Sequence, residues 1–152
     1  MIRKFAKRAA AVAVAVPLAL AATAVPASAN DAGADSADGY VWACWRTSAN
    51  ATLNGGCVTF YQYGEVLLAE DFQADGWGTR GQIQKWLPDS NGVYRWVNHS
   101  SDCFDDTSTG NTSAGRTSCQ YSIAEGVKVR VHVWASRSGT YAFHNYSPSI
   151  SA

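Results

Sequence analysis

Gly76, Gly78 and Gly81 lie in the string ADGWGTRG with the spacing G-x-G-x-x-G. Such glycines cradle a pyrophosphate when a strand leads into them and a helix opens from them, because bare backbone and a helix N-terminus then meet the anion. The context here is wrong for that chemistry. The preceding EVLLAEDF reads as a strand, but the following GQIQKWLPDSNG reaches Pro88 within a few residues and then a turn. Trp77 also crowds the place where backbone would approach phosphate. The glycines therefore read as backbone shapers. Asp75-Gly76 is expected as a hairpin turn, and Gly78 and Gly81 as points where a strand kinks or bulges. No cofactor is expected.

Other reactive residues are few. His99, His132 and His144 sit on three separate runs, and neither H-E-x-x-H nor G-x-S-x-G occurs. Glu70, Asp71 and Asp75 flank the glycine turn, as paired carboxylates of a glycosidase would flank a cleft. Adjacent residues on a strand face opposite ways, so Glu70 and Asp71 do not act together, and Asp75 reads as a turn former. Asp102, Asp105 and Asp106 form an oxygen-rich loop without EF-hand spacing. No catalytic residue and no metal ligand is therefore assigned, and the chain is read as a non-enzyme.

Aromatic residues beside charged ones carry the remaining signal. Trp134 shares one strand face with Lys128, Arg130 and His132, and Trp77 sits in a glycine turn where full burial is hard. Trp45-Arg46 directly follows Cys44. Exposed tryptophan next to charge suits sugar rings or a protein partner. Trp45, Arg46, Trp77, Lys128, Arg130, His132 and Trp134 are thus the candidate binding residues.

The elements that hold them read as short strands. In GVKVRVHVWAS, Val127, Val129, Val131 and Val133 alternate with Lys128, Arg130, His132 and Trp134, the period of a half-buried strand. SRSG then predicts a turn and TYAFHNY a last strand. QIQKWL and VYRWV flank PDSNG, whose Asn91-Gly92 predicts a hairpin. CVTFYQYG and EVLLAEDF meet at Gly64-Glu65, and YVWACW starts the fold. About seven strands with no helix to cover them predict an all-β fold, an antiparallel β-sandwich of two sheets, with a small closed β-barrel as the alternative.

The ends and totals set the compartment. Residues 1–29 have a basic start, an apolar run and Ala27-Ser28-Ala29, the pattern of a cleaved secretory signal. Residues 30–39 read as a loose leader and 40–152 as one β-sandwich domain. Without the first 29 residues the chain keeps eight basic residues against twelve acidic ones. That balance disfavours nucleic acid, which needs clustered Lys and Arg. No membrane contact is expected after cleavage, and the chain is read as a monomer. Cys44, Cys57, Cys103 and Cys119 are an even set in an exported chain and imply two disulfides. Of three possible pairings, Cys44–Cys57 with Cys103–Cys119 is expected, because each brackets a short polar loop. Their spacing is too wide for a four-cysteine zinc site.

YGEVLLAEDFQADGWGTRGQI, residues 63–83, resembles a segment of small secreted proteins of streptomycetes and related actinobacteria. Its form there is Y-G-E-x-L-x-x-x-D-x-x-A-D-G-x-G, between a signal peptide and valine-rich final strands. Trp77 in the glycine turn is a departure. The resemblance implies a compact extracellular β-fold and no particular reaction. Streptomycete α-amylase inhibitors are a looser comparison. They are small, secreted, all-β and carry two disulfides, with a Trp-Arg-Tyr triplet between the first two cysteines. Here Trp45-Arg46 is followed by Thr47, so the triplet is broken. The expectation is a secreted, non-catalytic binding module whose partner is an extracellular protein or glycan. Inhibition of a secreted hydrolase and carbohydrate binding are the two specific forms of that role.

Overall fold

A computed structural model describes residues 32–35, 39–47, 53–99, 101–107 and 115–152. The expected export signal at 1–29 lies outside the described residues, as does the middle of the Trp45-Arg46 loop. No helix among the described residues is long and apolar enough to cross a membrane.

The chain folds as two antiparallel sheets, not closed into a barrel. Its strands are β1 (Ala32–Asp35), β2 (Tyr40–Trp45), β3 (Gly56–Tyr61), β4 (Val66–Asp71), β5 (Gly78–Pro88), β6 (Tyr94–Asn98), β7 (Cys103–Asp105), β8 (Arg116–Gln120), β9 (Lys128–Arg137) and β10 (Thr140–Ser151). One sheet runs β1-β2-β3-β4-β8 and the other β10-β9-β5-β6. β7 shares an edge of β5 with β6: β6 pairs with its Gln84–Pro88 end and β7 with Thr79–Gly81. Among the described residues ten strands replace the expected seven or so. Part of the leader is one of them, since Ala32 to Asp35 pair with Ala43 to Tyr40.

Alternation builds the core. Val129, Val131 and Val133 of β9 point inward with Ile83 of β5, against Val41, Val58, Phe60 and Leu67 of the first sheet, all wholly buried. Each such side chain contributes roughly 1.5–3 kcal/mol by leaving water. The β5–β6 hairpin closes over Asp89, whose Oδ1 accepts from Asn91 N at 2.9 Å and Val93 N at 3.0 Å, while Arg95 Nε donates to Oδ2.

The glycine string takes another form than expected. The Asp75 carboxylate accepts from Trp77 N at 2.9 Å and Gly76 has φ +79°, so a turn does form. It is not a hairpin, because it carries the chain from β4 in one sheet to β5 in the other. β5 does not bulge either: Gly78 to Lys85 pair with Ser136 to Val129 without a register shift. Gly81 serves close packing instead. A Cβ there would stand 2.4 Å from Cγ1 of Val58 in the facing sheet.

Both disulfides form as the loop argument predicts. Cys44–Cys57 joins directly paired residues of β2 and β3. Cys103–Cys119 joins β7 to β8 and so ties the two sheets together. Beyond β7 the Thr107 hydroxyl lies 3.0 Å from the Gly115 carbonyl, so the chain leaves and returns at one point.

Candidate functional site

Outward residues of the second sheet make the site. On β5 the face is Arg80, Gln82, Gln84 and Trp86, opposite Trp134, His132 and Arg130 of β9 for the first three. β6 adds Trp96 and Asn98, paired with Trp86 and Gln84. An open trough of about 400 Å³ lies here, lined by Gln82, Gln84, Asn98, Asp102, His132, Trp134, Tyr141 and His144.

Two irregularities in β10 place its contribution. Between Ala142 and Asn145 the register with β9 slips by one residue. Phe143 takes φ 55° there and packs on the core side against Trp45, at 5.9 Å between ring centroids. The extra residue leaves His144 on the outer face, with Nδ1 2.9 Å from Nε2 of His132. A second slip lies between Tyr146 and Ser149. There the Ser147 hydroxyl accepts from Val131 N at 2.8 Å and replaces the ladder bond that the bulge interrupts. Pro148, which has no N–H, fits this interruption.

Rings and guanidinium groups interleave along the trough. His132 stacks with Tyr146 at 4.5 Å and meets Trp134 at 4.6 Å. The Arg130 guanidinium lies 4.4 Å from the Trp96 ring and 4.2 Å from the Tyr146 ring, and its Nε donates to Gln84 Oε1 at 2.8 Å. Gln84 in turn donates to Asn98 Oδ1 at 2.9 Å. Trp86 continues the series, 5.0 Å from Trp96 and 6.0 Å from Tyr94. At the other end Arg80 is ion-paired with Asp102, donates to Ser136 Oγ and lies over the Phe104 ring. Tyr94, Tyr141 and Tyr146 are exposed, so ring surface is offered to solvent.

Electrostatics favour a neutral His132. Burial pushes its pKa down to about 4, and the neighbouring His144 and Arg130 push the same way. Burial likewise lowers the pKa of Arg130, with the Tyr146 hydroxyl opposing. A neutral imidazole pair bonded nitrogen to nitrogen has one donor and one acceptor, which leaves each ring's second nitrogen for another partner.

The sequence-predicted binding residues divide. Arg130, His132 and Trp134 come together, and Lys128 is exposed further along the same strand face, but Trp134 is buried, only 9% exposed, under its neighbours His132 and His144 and is not the exposed ring expected. Trp45, Arg46 and Trp77 are elsewhere. Trp45 is wholly buried, with Nε1 donating to Thr79 Oγ1 at 2.9 Å, so it is a core residue and offers no surface. Arg46 donates to Asn54 Oδ1 at 2.7 Å. Trp77 packs edge-on to Phe143 and under Arg137. The trough also uses Gln82, Gln84, Asn98 and Tyr141, which sequence reasoning passed over, and Asp102 and His144, which it considered only for metal or catalytic chemistry. The run RGQIQKW held a signal for two of them, since its period of two puts Gln82 and Gln84 on one face with Arg80.

The acidic residues are occupied structurally. Asp105 Oδ2 accepts from Asp71 N at 2.7 Å, and Glu70 faces Arg116 at 3.0 Å. No group of three metal-ligating side chains converges among the described residues. No family model, curated protein or solved structure matches the chain.

Proposed function

We propose that this chain is an exported, non-catalytic binding module that takes a glycan on the outer face of its second sheet. The observation that carries this reading is the open trough. It pairs amide side chains, from Gln82, the largely buried Gln84 and Asn98, with the exposed ring of Tyr141 beside the mostly buried Trp134. Sugars need this combination: ring faces for their C–H surfaces and fixed polar groups for their hydroxyls. Gln84 is held by Asn98 and Arg130, and His132 by His144 and Tyr146, so the surface is set before a ligand arrives.

Two further points support an extracellular setting. The disulfides belong in an oxidising environment. The pattern at 1–29 and the resemblance of 63–83 to secreted actinobacterial proteins agree with it. The inhibitor reading is weaker, because the buried Trp45 cannot anchor a target.

The test is retention of the secreted chain, lacking its first 29 residues, on insoluble polysaccharides and on immobilised secreted hydrolases. Retention on a polysaccharide, reduced by Tyr141→Ala, is the expected result. Retention on a hydrolase alone, or no retention on any polysaccharide, overturns the proposal.

A further inference from the structure

Charges on this face divide into paired and unpaired. Arg80 is satisfied by Asp102, while Arg95, which alternates with Trp96 onto the opposite face of β6, pairs with Asp89. Arg130 has no carboxylate partner among the described residues. It is held by Trp96 and Tyr146 through its face and by Gln84 through Nε. This arrangement fixes the guanidinium plane and engages Nε only, leaving the two Nη groups without an acceptor among the described residues. Lys128, exposed two residues earlier on the same strand face, adds a second positive charge without an acidic partner among the described residues.

A guanidinium that is partly removed from water and lacks a counter-charge is unfavourable in the free protein and gains when an anion arrives. The planar fork matches a carboxylate with two parallel N–H···O bonds. Resting on the glycan-binding reading above, we propose that the trough recognises an acidic polysaccharide, with a uronic-acid carboxylate seated on Arg130. The chain without its first 29 residues has an excess of acidic over basic residues. Its overall field therefore repels a polyanion, and retention needs this local site rather than general ion exchange.

The experiment compares matched polymers at physiological salt: polygalacturonate against its methyl ester, and carboxymethyl cellulose against hydroxyethyl cellulose, with dextran sulfate as a third anion. The carboxylated polymers are expected to bind at least about 10-fold more tightly than their neutral partners and than dextran sulfate. Arg130→Gln is expected to remove that margin, a loss of roughly 10- to 100-fold. Arg130→Lys, which keeps charge but not the fork, should recover only part of it, and Arg95→Gln should lose none. Folding of each variant is read by thermal melting. If Arg130→Gln fails to fold, the Arg130→Lys comparison decides: full retention by that variant overturns the proposal. Equal binding of neutral and carboxylated polymers, equal binding of dextran sulfate, or equal loss in Arg95→Gln also overturns it, while glycan binding as such stands. Absence of binding to every polysaccharide instead overturns the underlying glycan reading.

Discussion

His132 Nε2 and His144 Nδ1 stand 2.9 Å apart across a β-bulge, so the two rings share one proton between facing nitrogens. Protonating both would set two N–H donors against each other. His132 is held neutral down to about pH 4, through burial first and then the neighbouring His144 and Arg130. An unfolded histidine protonates near 6.5. Between those values the unfolded chain binds a proton that the folded chain refuses, so stability falls as pH drops through that window and levels off below it. The loss is on the order of 1–2 kcal/mol once the ring's partial exposure is allowed for. Urea unfolding across this pH range measures the slope, and the His132 NMR titration should have its midpoint near 4. His144→Ala should move that midpoint upward.

Close approach of the sheets at Gly81 sets a second expectation. Gly81→Ala puts a methyl carbon 2.4 Å from Val58 Cγ1 and should cost roughly 1–3 kcal/mol through overpacking. Val58→Ala made together with it should recover part of that loss. Chemical denaturation of the single and double variants tests this, and simple additivity of the two losses would contradict the contact.

Ser147 supplies a ladder bond that the backbone of β10 cannot. Ser147→Ala leaves Val131 N–H buried without its acceptor, at a cost of about 1–3 kcal/mol. Hydrogen exchange at the Val131 amide should accelerate more than at Val133, which has a direct backbone partner in Asn145.

The two disulfides differ in what they join. Each closes a loop worth roughly 3 kcal/mol in the chain-entropy account. Cys103–Cys119 also spans the sheets, whereas Cys44–Cys57 links strands that already pair. Replacing Cys103 and Cys119 by Ala should therefore lower the melting temperature more than the same change at Cys44 and Cys57. A larger drop at Cys44 and Cys57 would contradict this division.

Legibility in the sequence followed periodicity. The valines of β9 gave both its inner face and, by alternation, the outer face on which Arg130, His132 and Trp134 meet. The turns at Gly64-Glu65 and around Asn91-Gly92 announced hairpins because few residues suit them. Three features were hidden for physical reasons. His144 reaches the trough through a one-residue slip, and a slip reverses the parity on which alternation depends. Gly81 reads locally as a weak point of a strand, while its cause is Val58 in the other sheet. Trp45 looked available beside Arg46, but its burial depends on Thr79, thirty-four residues away.

The meeting of Thr107 with Gly115, just outside the bridge between β7 and β8, has a practical meaning. Because these two residues meet, the number of residues joining them is uncoupled from strand register on either side. Ring-closure entropy grows only slowly with such length. The molecule thus carries a ready mount on which a foreign peptide can be spliced.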